Sequence, residues 1–129
     1  MAKTFKSSKK NKAIISEVTR VLALGSENHI ARLAIVHSLK NWANNSEIRN
    51  QDSGGKEYSS GVLFGEHEYA YRLMIAVQHN LSFKDPMIDE LIKFHLDTGI
   101  EQLEQSVLIE ERIQTLEEFI DEYCLDLVR

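Results

Sequence analysis

The sequence predicts a mainly α protein, a single helical domain, and three observations carry that expectation. The 129 residues include only six glycines and one proline, too few for a turn-rich sandwich. Hydrophobic residues make up 43% of the chain, enough for a core that needs neither disulfides nor metals. Apolar side chains recur at helical spacing through most of its length. The length fits one domain. The expected division places a helical domain at 1–105 and an acidic amphipathic helix, packed on the same domain, at 106–129.

The elements follow in order. Ala2–Lys6 alternates around Phe5 and reads as a short extended piece. Ser7 or Ser8 is placed to cap a first helix, whose face is Ile14, Ile15, Val18, Val21 and Leu22. Gly25 suits the left-handed position after that helix, and Ser26 suits the next N-cap. The second helix, with Ile30, Leu33, Ala34, Ile35, Val36 and Leu39, is apolar around more than half its circumference. It is therefore expected in the core or at a subunit contact. Asn44–Gly61 is polar and turn-rich and reads as a loop. A third helix is expected from about Glu66 to His79, with Tyr69, Leu73, Ala76 and Val77 on one face. Asp85 and Pro86 mark the start of a fourth, which carries Ile88, Leu91, Ile92, Leu96, Ile100 and Leu103. Gly99 inside it costs roughly 1 kcal/mol against Ala, which signals close approach of another backbone. Ile109, Ile113, Leu116, Ile120, Tyr123 and Leu127 then repeat at alternating intervals of four and three. Docking of this seam on the domain's own helices is favoured over an intermolecular zipper, since fewer than three heptads are present.

Charge is segregated along the chain. The formal net charge is −5. Residues 1–20 carry Lys3, Lys6, Lys9, Lys10, Lys12 and Arg20 against Glu17 alone, whereas residues 87–129 carry three basic and twelve acidic groups. Such asymmetry suits a basic arm for a polyanion, or merely a solvated N-terminus. Lys residues in a first helical turn oppose the helix dipole, so helix stability does not account for them. A phosphate at that end would meet free N–H groups.

Several chemistries are excluded. Gly54-Gly55-Lys56 fails as a nucleotide-binding loop: Asn50 stands where the first glycine is needed, and Glu57 replaces the hydroxyl residue after Lys56. The glycines are expected to shape the loop, with Lys56 a candidate for one phosphate contact. His29, His37, His67, His79 and His95 include no pair four apart, and the single Cys124 offers neither a bridge nor a zinc signature. His37 and His95 lie in apolar stretches and read as core or edge residues. Asp52 and Glu57 flank Lys56 without the remaining carboxylate-and-lysine pattern of a metal-dependent nuclease, and Ser53 lacks a nucleophile elbow. No catalytic residue, metal site or cofactor is expected. No secretion signal or apolar run near 18 residues is seen, so the expected location is cytoplasmic, without membrane contact.

The blocks "SSKKNK", "NHIARLAIVHSL", "DSGGKEY…LFGE" and "FHLDTGIEQL" occur in the order found in the DndE family, the small subunit of bacterial DNA phosphorothioation. The chain resembles that family over roughly Phe5 to Leu103. In that system sulfur replaces a non-bridging phosphate oxygen. The resemblance implies a mostly helical subunit with a ribbon-helix-helix-like start that assembles as a homotetramer. It implies a non-enzymatic accessory subunit that binds double-stranded DNA, including nicked duplex, through surface lysines. Its companions would be a cysteine desulfurase, a sulfurtransferase-like protein and an ATPase-like protein. Lys10 and Lys12 match lysines of the family's helix-opening motif, and Lys9 is an extra neighbour. With Lys6 and Lys56 these form the expected DNA-binding set. Two features depart from the family: the acidic seam beyond residue 105 and the acidic net charge. The alternative is an assembly module that bridges partner proteins and touches DNA little; a DNA-nicking enzyme is the least favoured reading.

Overall fold

The computed structural model describes residues 4–23, 26–42, 47–111, 115 and 117–118. The elements are β1 (Thr4–Lys6), α1 (Lys9–Leu22), α2 (Glu27–Lys40), β2 (Glu57–Ser59), α3 (Ser60–Phe64), α4 (Glu68–Gln78) and α5 (Met87–Leu103). A 3₁₀ turn (Gly65–His67) leads into α4, and a π-helical turn (Glu104–Ile109) prolongs α5. The protein is mainly helical, as expected, with one small antiparallel sheet near its start.

Local signals set the helix ends. The Ser8 hydroxyl accepts the Asn11 N–H at 3.1 Å, and the Ser26 hydroxyl accepts that of Asn28 at 3.3 Å. Ala23, with φ 56°, takes the left-handed position after α1; Gly25, expected there, lies outside the described residues. Pro86 (φ −63°) stands at the N-cap of α5, one residue earlier in the helix than expected, and Asp85 just ahead of it accepts the Met87 N–H at 2.9 Å.

The core is built around α2 against α5. The two run in opposite senses: Ser38 meets His95, while Ala34 meets Gly99. Any Cβ on Gly99 would lie 1.9 Å from the Ala34 carbonyl oxygen, so only glycine permits this spacing. Ile30, Ala34 and Ile35 of α2 interleave with Ile92, Leu96 and Ile100 of α5, all fully buried. Ile15, Val18 and Leu22 close the core from α1, and Phe5, Tyr58 and Phe64 close it at the sheet end. The wide apolar cover of α2 is thus largely satisfied within the chain. Of the positions named above, Val36 stays exposed.

Two expectations are corrected. The segment read as loop contains β2, which pairs antiparallel with β1 (Phe5 opposite Tyr58), and the first residues of α3. Three residues are too few to show a period, and the strand's partner lies about fifty residues away in sequence. The second correction concerns α4. Its buried residues are Arg72, Ile75 and Ala76, whereas Tyr69, Leu73 and Val77 are exposed. Arg72 sits inward because Glu68 and Asp89 receive its guanidinium, at 2.9 and 2.8 Å. A buried, paired arginine interrupts the apolar pattern from which the face was read.

Helical structure continues past residue 105, and Val107 belongs to the core. In the C-terminal seam Ile109 is exposed; Ile113, Leu116, Ile120, Tyr123 and Leu127 lie outside the described residues.

Candidate nucleic-acid interface

The start of α1 and the Gly54-Gly55-Lys56 loop form one construction. The Ser7 N–H donates to the Lys56 carbonyl (3.0 Å) and the Gly55 N–H to the Ser7 carbonyl (2.9 Å). The Lys56 N–H donates to the Ser7 hydroxyl at 3.0 Å. These bonds carry the β1–β2 pairing onward to the helix. A Cβ on Gly55 would stand 2.2 Å from the Ser8 carbonyl oxygen and 2.4 Å from the Ser7 hydroxyl. Gly55 is therefore there for backbone approach.

The helix start is occupied by the chain's own acids. Asp52 accepts N–H bonds from Lys9 (2.9 Å) and Gly54 (3.0 Å). The Lys9 bond, above all, holds the Asp52 carboxyl below its usual range. Asp97 of α5 accepts the Ser8 N–H at 3.0 Å and the Asn11 side-chain amide at 2.8 Å. Glu101 accepts from Asn11 and from Gln51. The partly buried Lys93 ammonium ties the set together, donating to the Lys6 and Asp52 carbonyls (2.9 Å each) and to Asp97 (2.8 Å). Of the N–H groups expected to greet a phosphate at this helix end, those of Ser8, Lys9 and Asn11 are thus engaged, by Asp97, Asp52 and Ser8 in turn. Any contact with a polyanion from α1 comes from side chains instead.

Those side chains divide between faces. At about 100° per residue, Lys9, Lys12, Ser16 and Arg20 fall on one stripe of α1. Lys10 is turned about 100° from Lys9 and lies beside Glu101 of α5 at 3.6 Å. The Lys9 and Lys12 side chains are exposed and have no ionic partner among the described residues. Lys6 pairs loosely with Glu57 across the sheet at 3.9 Å. Lys56 reaches Glu27 at 3.4 Å and lies 5.2 Å from the centre of the Tyr58 ring. Lys56 and Arg20 line one open groove with Ser16, Thr19, Ser26 and Glu27. Lys9 and Lys12 thus share a stripe of α1 with Arg20, which in turn shares the groove with Lys56; Lys6 lies opposite Glu57 in the sheet and Lys10 on the α5 side. Arg20 stands apart from the lysine run in sequence and joins Lys9 and Lys12 through helical spacing, the one signal in the sequence that marks it.

The histidines lie elsewhere. His95 is fully buried, with Ser38 2.7 Å from Nδ1 and His79 Nε2 2.7 Å from Nε2. Trp42 packs on His79 at 4.7 Å. Burial and the neighbouring His79 push the His95 imidazole down to about 3, and burial lowers that of His79. His37 is buried beside Gln102 at 2.6 Å. No group of three or more metal-binding side chains occurs among the described residues, and no described helix is long and apolar enough to cross a membrane.

The model of the family described as DNA sulphur modification protein DndE matches residues 4–111, most of the chain. The chain belongs to the DndE family. No curated protein matches it. The matched span holds β1 through the end of the π-helical turn, and with them Lys6, Lys9, Lys10, Lys12, Lys56 and Arg20. Membership in the DndE family connects the chain to DNA sulfur modification.

Proposed function

We propose that this DndE-family protein is a non-enzymatic DNA-binding subunit of the sulfur-modification machinery, gripping the duplex backbone, nicked or intact, through a ridge along α1 formed by Lys9, Lys12 and Arg20. The observation that carries this reading is the exposed pair Lys9 and Lys12, ammonium groups without a described partner on the same face as Arg20 and Lys56. A polyanion gains most from cations that need not first give up an internal partner. Lys6 and Lys10, each beside a carboxylate, stand at the margins of the proposed contact. The protein works in the cytoplasm beside the other proteins of the system.

The subunit is further proposed to self-associate, as a homotetramer, which would multiply phosphate contacts and offset the acidic net charge. The apolar groove of Val36 and Leu39 on α2 with Leu73, Met74 and Val77 on α4 supports this. The same groove supports the second reading, an assembly module with little DNA contact. Mobility shift with intact and nicked duplexes separates the two readings. Wild type should shift both, and the Lys9→Ala/Lys12→Ala variant should shift neither at the same concentration. Equal shifts by the two proteins would reject the α1 ridge as the contact.

A further inference from the structure

The groove between α1 and the start of α2 holds an acid where the proposed surface should be most basic. Glu27, the first residue of α2, accepts from the Ser16 hydroxyl at 3.1 Å through one oxygen and from the Lys56 ammonium at 3.4 Å through the other. Its side chain is 27% exposed and that of Lys56 36%, so the pair sits in the groove wall within reach of solvent. Arg20 lines the same groove and, among the described residues, is tethered only to the exposed Glu17, at 2.7 Å. An exposed pair of that kind is readily surrendered. The groove, about 640 Å³, has room for a nucleotide unit.

We propose that this groove seats one backbone phosphate between Arg20 and Lys56, and that Glu27 is the internal anion which that phosphate displaces from Lys56. The inference rests on the DNA-binding reading above. Glu27 occupies Lys56 in the free protein, so the chain has one fewer available cation than its sequence suggests. It also repels any phosphate that enters. Binding through Lys56 therefore requires its ammonium to leave Glu27 for the DNA, while the Tyr58 ring beneath the lysine keeps it over the groove. Ser16 retains an acceptor if Glu27 becomes a glutamine, so the amide variant removes the charge with little change of shape.

The test is a double-mutant cycle on duplex affinity as a function of salt, using Glu27→Gln, Lys56→Ala, their combination, and Arg20→Ala in the full chain. Glu27→Gln should tighten binding severalfold at low salt and steepen the log–log slope by up to about 0.9, the value of one phosphate contact. In the Lys56→Ala background that gain should shrink to the residual repulsion between Glu27 and the phosphate. Arg20→Ala should weaken binding and reduce the slope. Inorganic phosphate at matched ionic strength should compete no better than chloride, because the site is built into a longer backbone track. Wild type without salt-dependent binding would overturn the DNA-binding reading itself. A wild type that binds, with Glu27→Gln unchanged, would overturn this inference alone. So would an equal gain in the Lys56→Ala background, which would make Glu27 a diffuse repulsive charge, or a slope unaltered by Arg20→Ala. Preferential displacement by inorganic phosphate would make the groove a free-anion site and overturn its assignment to DNA backbone.

Discussion

Gly99→Ala puts the packing of α2 on α5 to a direct test. In an isolated helix the change would stabilise by about 1 kcal/mol. Here the new Cβ would lie 1.9 Å from the Ala34 carbonyl oxygen, 2.3 Å from its carbonyl carbon and 2.8 Å from its Cα. All three are backbone atoms, so no side chain can swing aside. The helices must separate by more than about 1 Å to restore ordinary contact, which loosens the interleaving of Ile30, Ala34 and Ile35 with Ile92, Leu96 and Ile100. Overpacking of a well-filled core costs about 1–3 kcal/mol, and a clash between two backbones belongs at the upper end. Setting the helix gain against it leaves a net loss of about 2 kcal/mol, or roughly 8 °C in Tm for a domain of this size. Gly61→Ala is the control: a Cβ there meets nothing within 4 Å, and the residue lies in a helix. Urea and thermal unfolding of both variants provide the measurement. Gly99→Ala as stable as wild type, or as much stabilised as Gly61→Ala, would refute the close approach of α2 and α5.

Other expectations follow from the same contacts. Arg72→Met leaves Glu68 and Asp89 facing each other without their cation and should cost about 2–3 kcal/mol in urea unfolding, toward the lower end of a buried pair because both acids are partly exposed; an unchanged midpoint would show that the buried arginine contributes nothing. His95 has a folded pKa below its unfolded value, so the unfolded chain takes up the proton first and stability falls as pH drops below about 6.5, continuing toward 3. Between pH 6.5 and 5 the loss should be about 1.5 kcal/mol, followed by Trp42 fluorescence, and His95→Gln should flatten it; a wild type equally stable across that window would contradict the buried histidine pair. Truncation after Glu111 should leave duplex binding unchanged or stronger, since 112–129 carries five acidic and two basic residues. Truncation after Gln105 also removes the buried Val107 and should cost a further 1.5–3 kcal/mol or so; equal stability of the two truncations would contradict the place of Val107 in the core. Leu73→Glu with Val77→Lys should convert an oligomer to monomers in light scattering without lowering Tm; a wild type already monomeric would remove the proposed self-association.

What the sequence made legible was local. Ser8, Ser26 and the Asp85-Pro86 start are written in neighbouring residues, and so is the cost that marks Gly99 as a contact. β2 and the inward turn of α4 depend on partners far along the chain: β1 for the strand, Asp89 for Arg72. For the same reason the start of α1 looked open to a phosphate. The acids that fill it are Asp52 and Asp97, one in a loop and one two turns from the end of α5. The lysine run was visible as charge. Its division, with Lys10 toward Glu101 and Lys9 and Lys12 toward solvent, follows from helix rotation together with the position of α5. Glu27 gave no signal, because its importance comes from Lys56 arriving beside it by way of the sheet.

The most direct test of the account is the salt dependence of duplex binding by wild type and by Lys9→Ala/Lys12→Ala. Wild type should lose affinity linearly on log–log axes, and the variant should show a slope shallower by about 1.8, two phosphate contacts' worth, with an unaltered unfolding curve. A variant that binds with the wild-type slope, or a wild type whose binding does not respond to salt, would contradict the claim that the α1 ridge holds the DNA backbone.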